Sequence, residues 1–116
     1  MGENAGDIST FESDYEELIK HVQEFVPGAK IIPVGDFWSS GDRETMKKTV
    51  SEKLQISYAD LSVIWGDGSY QAGLGTLVDG SDGEQHKIEH DGVAGHPGDK
   101  GRQYVAEKII ECIQAE

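Results

Sequence analysis

His96 lies in the run Asp91-Gly92-Val93-Ala94-Gly95-His96-Pro97-Gly98-Asp99-Lys100-Gly101, between a glycine-rich stretch and the start of the last helical pattern. An imidazole near its ordinary pKa can take a proton from a hydroxyl or water nucleophile, so this position suits a general base; it equally suits a surface histidine capping a helix. Asp91, five residues earlier, can orient the ring if Gly92 and Gly95 permit the turn, and a backbone carbonyl can do the same. Asn4, in Gly2-Glu3-Asn4, carries an amide able to donate to a developing oxyanion, although asparagine before a helix also serves as an ordinary turn residue.

Other chemistry-bearing side chains read more simply. Ser39 and Ser40 have no sharp strand-to-helix elbow around them and fit helix capping better than nucleophilic attack. Asp79, Asp82, Glu84, His86, Glu89, His90 and Asp91 form an acidic stretch whose spacing matches neither a calcium loop nor a zinc site, which favours a solvated loop and no metal. Trp65 ends an apolar run and reads as packing. Trp38 sits among loop residues, where it can stack on a sugar ring or close the core. Cys112, the single cysteine, excludes an internal disulfide and fits an apolar stripe.

These groups must be positioned by one domain of 116 residues. Phe11, Tyr15, Leu18, Ile19, Val22, Phe25 and Val26 recur at helical spacing after a Ser9/Glu12 capping box, so residues 11 to 25 are expected to form a helix that Pro27-Gly28 ends. Lys30 to Val34 reads as a short buried strand, with Pro33 unable to donate to a ladder. Asp42 caps a second helix bearing Met46, Val50 and Leu54, and Ala59 to Trp65 reads as a second strand. Strand, helix, strand predicts a right-handed crossover, hence a parallel sheet and the α/β class. Residues 66 to 95 read as a long loop, and Pro97 as an early position of a final helix buried through Val105, Ile109, Cys112 and Ile113.

Charge and composition exclude some functions. Acidic residues number 22 against 10 basic ones, a formal net charge of −12, which repels polyanions and argues against nucleic-acid binding. Neither a membrane-spanning run nor a signal-peptide pattern occurs, so no membrane partner is expected and the compartment stays open.

The order Gly2-Glu3-Asn4, amphipathic helix, Pro27-Gly28-Ala29-Lys30 leading into a strand, second helix and strand, then His96-Pro97 before a closing helix resembles the SGNH (GDSL-like) hydrolase family. The resemblance runs from Gly2 to about Ile113 and corresponds to the later part of a family domain. It implies an incomplete flavodoxin-like three-layer parallel sheet, with Asn4 as oxyanion donor, His96 as the base activating a serine, and Asp91 as a candidate orienter. The implied activity is hydrolysis of carboxylic esters, with acetyl groups on carbohydrate as one candidate substrate, without a cofactor.

Three positions depart from the family pattern. Ala5 stands where the family has an aspartate, Val93 stands three residues before the histidine where the family acid belongs, and no Gly-Asp-Ser occurs. Gly35-Asp36-Phe37 imitates only its first two positions. The chain is therefore expected to be a partial domain, residues 1–116, without the nucleophile block. The Lys30 to Val34 strand would then have an open edge, available to a complementing N-terminal fragment or to self-association. The other expectation is an inactive binding or assembly module that uses this edge or the acidic loop.

Overall fold

The computed structural model describes residues 7–115. The chain divides into two compact units, one built from the residues up to Trp65 together with those from Lys108 onward, the other from Gly66–Glu107. Among the described residues no helix is long and apolar enough to cross a membrane.

The first unit is organised around helix α1, Phe11–Phe25, and helix α2, Asp42–Lys53. The face of α1 that repeats every four residues, Phe11, Tyr15 and Ile19, is buried with Val50 of α2, and Ile31, Met46, Leu54 and Ile56 pack against this cluster. Phe11 and Tyr15 stack with ring centroids 5.6 Å apart. Leu18 and Phe25 of α1, and Val26 just after it, are exposed, and Val22 is half-buried. The expected Ser9/Glu12 capping box does not form. Thr10 occupies the cap position without a side-chain cap bond, and its hydroxyl instead donates to Asp14 at 2.8 Å.

Of the two expected parallel strands, the described residues contain one parallel bridge, Val34 with Ala59. It is held by Gly35 N–H to the Ala59 carbonyl at 2.8 Å and Ala59 N–H to the Pro33 carbonyl at 2.9 Å. Pro33 thus serves the pairing through its acceptor, the one backbone function proline retains. The expected strand from Ala59 to Trp65 stops early because Asp60 accepts from the Ser62 N–H at 2.8 Å, and this local turn folds Ser62–Ile64 into a single 3₁₀ turn.

The second unit includes residues 66 to 95, which are not only the long loop that their composition predicts. It holds two short antiparallel pairs: β1, Gln71–Ala72, with β4, His96–Pro97, and β2, Leu77–Asp79, with β3, Gln85–Lys87. The last helix, α3, spans Asp99–Gln114, so Pro97 belongs to β4 and not to the first helical turn. Its missing N–H does not weaken the pairing, because Gly95 N–H donates to the Ala72 carbonyl at 2.9 Å and Gly98 N–H to the Tyr70 carbonyl at 3.0 Å.

Candidate functional site

His96 is exposed on β4, opposite Ala72 and two residues before the end of the turn into α3. Gly95 immediately before it has φ +87°, a left-handed conformation that costs a side-chain-bearing residue roughly 1–2 kcal/mol. The glycine therefore lets the chain reverse onto β1, and the two main-chain bonds from Gly95 and Gly98 hold the histidine from both flanks. His96 lines a recess of about 240 Å³. Val78 and Ile88 reach this recess from the β2–β3 hairpin, Ala72 and Pro97 from the short pair, and Val93 from the preceding turn. Asp79, Asp99 and Arg102 bring the charged side chains to it.

Asp91 is exposed at the start of the turn that leads to His96. That turn is fastened by the His90 carbonyl, which accepts from Val93 N–H at 3.0 Å and Ala94 N–H at 3.1 Å. Asp91 takes part in no ion pair among the described residues. Asn4 lies outside the described residues.

The acidic stretch is organised by local turns. His86 pairs with Asp82 at 2.8 Å, and Asp82 also accepts from Glu84 N–H at 3.0 Å. These contacts, the Glu84 backbone bond first, hold the Asp82 carboxyl below its usual range. Among the described residues no cluster of three His, Cys, Asp or Glu side chains is placed to share a metal ion.

Sequence reasoning missed a charged cluster buried in the first unit. Asp36 is 1% exposed, and its carboxylate accepts from Lys47 Nζ at 2.8 Å and Arg43 Nε at 2.8 Å. Lys47, 5% exposed, also donates to the Val34 carbonyl at 2.6 Å. Glu44 is buried beside them and accepts from Asp36 N–H at 3.3 Å, while the Trp65 indole donates to the Asp36 carbonyl at 2.8 Å. Burial alone would raise the Asp36 carboxyl, but the hydrogen bonds led by Lys47 outweigh it and hold the group below its ordinary value.

Burial also pushes the nearby Tyr15 phenol up to about 12, helped by the negative charges of Asp36 and Glu44, and raises Tyr58 further with Glu44 as the main electrostatic cause. The available signal was an acid closing an apolar run, followed by Arg43 and Lys47 one helical turn apart. The cluster fastens Gly35–Phe37 to α2 and gives Trp65 a polar anchor beside its packing. Trp38 is 39% exposed and meets Phe37 edge-on at 5.5 Å; Ser39 and Ser40 precede Gly41, which caps α2. Cys112 is buried.

Comparison of this chain with protein-family models, with curated proteins and with solved structures found no match.

Proposed function

We propose that the chain carries the histidine and oxyanion part of an SGNH-type serine ester hydrolase, in a flavodoxin-like α/β domain, acting on a small carboxylic ester. The observation that carries this reading is His96 itself. It is exposed, held by main-chain hydrogen bonds from the glycines on either side, set just before α3 and bordering a partly apolar recess. A base needs that combination of a fixed backbone and an accessible ring.

In the proposed reaction His96 removes a serine proton as the oxygen attacks the ester carbonyl, and Asn4 donates to the oxyanion by resemblance. The imidazolium then returns the proton to the departing alcohol oxygen. Asp91 orients the ring in this scheme, or a backbone carbonyl does. The serine belongs to a Gly-Asp-Ser turn, which these 116 residues do not contain. The chain by itself should therefore hydrolyse p-nitrophenyl acetate no faster than background and show no serine labelled by a fluorophosphonate. With a polypeptide bearing that turn added, turnover should appear and fall at least 10³-fold in His96→Ala, because members of such a set act as a unit. Turnover that survives His96→Ala overturns the assignment.

A second reading, assembly through an open edge, has its own observation. Beside the Val34–Ala59 bridge, residues 31–34 border a groove of about 380 Å³ whose other wall is Tyr15, Leu18, Ile19 and Val22 of α1. Ile31, Ile32 and Val34 donate no backbone hydrogen bond among the described residues, so this groove offers both apolar surface and unpaired main chain to an added strand.

A further inference from the structure

We infer that the open edge at residues 31–34 takes a parallel strand from a different polypeptide, apolar at its centre and basic at its flanks, in preference to a second copy of this chain. The inference deepens the assembly reading and rests on it, independently of His96. Neighbouring residues of a strand direct their main-chain groups to opposite sides. Pro33 and Gly35 face Ala59, through the Pro33 carbonyl and the Gly35 N–H. Ile32 and Val34 therefore face the open side. The donor that Pro33 lacks is missing on the inner side and costs the open edge nothing.

Lys47 sets the direction of the incoming strand. Its Nζ donates to the Val34 carbonyl at 2.6 Å and to the Asp36 carboxylate at 2.8 Å, so one open-side acceptor is already engaged. The Ile32 N–H, the Ile32 carbonyl and the Val34 N–H are left, and none of the three has a hydrogen-bond partner among the described residues. A parallel strand with one residue opposite Pro33 uses all of them. That residue donates to Ile32 and accepts from Val34, and the carbonyl two residues earlier accepts from the Ile32 N–H. An antiparallel strand exchanges both bonds with Ile32, and its next exchange falls on Val34, whose carbonyl Lys47 holds.

Charge and symmetry disfavour the second copy. Two copies pairing edge to edge about a two-fold axis run antiparallel, the direction that Lys47 opposes, and each carries a formal net charge of −12. A foreign strand with basic flanks is attracted instead, because the exposed Glu17 and Glu24 share α1 with the groove residues Leu18 and Val22. Its centre must be apolar, since every residue lining the groove except Tyr15 and Lys47 is aliphatic.

The test is a nuclear magnetic resonance titration of the full chain with the capped peptide Lys-Lys-Val-Ile-Val-Val-Thr-Lys-Lys and with its counterpart carrying Glu for every Lys. The Lys peptide should move the amide signals of Val22, Ile32 and Val34 saturably, and the Glu peptide should bind about tenfold more weakly. N-methylation of alternate central residues should cost about tenfold in one set and little in the other, because a strand bonds through every second residue. A nitroxide at the peptide's N-terminus should broaden the Lys30 amide more than that of Gly35. Val22→Glu should abolish the response while leaving the Val50 signal in place; Leu18→Glu serves if that variant does not fold. Equal affinity for the Glu peptide, indifference to the methylation pattern, the reverse broadening, a response that survives both variants, or no binding overturns the inference. Sedimentation of the chain alone should show a monomer. Dimers that Val22→Glu abolishes overturn the foreign strand and leave the assembly reading standing, whereas absence of both dimers and peptide binding removes the two together.

Discussion

Replacing Asp36 by asparagine keeps the shape of the side chain and removes the charge shared by Lys47 and Arg43. The two cations do not suffer equally. The Arg43 side chain is 16% exposed and can turn toward water, whereas that of Lys47 is 6% exposed and keeps only neutral acceptors, the Val34 carbonyl and the one amide oxygen that asparagine retains. Removing one partner of a buried pair costs about 3–5 kcal/mol, and the escape open to Arg43 places Asp36→Asn near the lower end, about 3 kcal/mol. Set against the ~5–15 kcal/mol that holds a domain of this size together, that loss is large. At roughly 4 °C per kcal/mol it lowers the Tm by about 12 °C.

Lys47→Met leaves Asp36 its bond from Arg43 and should cost less, about 1–3 kcal/mol. In the double variant neither uncompensated charge remains, so its loss should fall short of the sum of the singles by at least about 2 kcal/mol. Urea unfolding followed by circular dichroism measures all four corners of this cycle. The acid limb gives a second reading of the same pair. The folded Asp36 carboxyl titrates below its unfolded value of about 3.9, so its contribution is fully present above that pH and disappears as pH falls through the folded value. Asp36→Asn should flatten that part of the stability profile. A loss under about 1 kcal/mol, strict additivity, or an unchanged acid limb would refute the claim that this cluster ties Gly35–Phe37 to α2.

Two further outcomes concern the second unit and the groove. A methyl group added at Gly101 would lie well inside contact distance of the Tyr70 carbonyl oxygen, with Pro97 also close, so Gly101→Ala should lose about 1–3 kcal/mol and displace the β1–β4 pair; an alanine variant with wild-type melting and unchanged Gly95 and Gly98 amide signals would contradict this packing. If the groove between α1 and residues 31–34 accepts a strand, size-exclusion chromatography should show concentration-dependent association or capture of a complementing fragment, and Val22→Glu should abolish it; a strictly monomeric chain that captures no such fragment removes the assembly reading.

The elements that sequence reasoning found are those in which side chains alone determine the outcome. Helix α1 runs over Phe11–Phe25 as its apolar period and the following Pro27-Gly28 imply, and α2 forms where a second helix is expected, although Gly41 and not Asp42 is its cap and Asp42 is its first residue. The elements it missed include one that depends on main-chain partners remote in sequence. Gln71-Ala72 and His96-Pro97 have no strand pattern, and they pair because Gly95 and Gly98 can donate across to Ala72 and Tyr70. The apolar run from Ala59 to Trp65 does resemble a strand, yet one carboxylate, Asp60, turns it after a single bridge.

His96 stands out in the sequence because a lone imidazole between glycines is chemically conspicuous wherever the fold puts it. The Asp36 cluster does not, because the rule that charges face solvent describes single residues and fails for groups that satisfy one another. Helix α2 buries Glu44, Lys47 and Ser51 together with Val50, so its inward face is more polar than the apolar pair Met46 and Val50 suggests. Lys47 is matched outside the helix to Asp36 and Val34, and one oxygen of Glu44 accepts from the Asp36 amide. A polar helix following an acid that closes an apolar run can therefore be inward-facing, and the acid at the end of the run supplies the counter-charge that makes the burial possible.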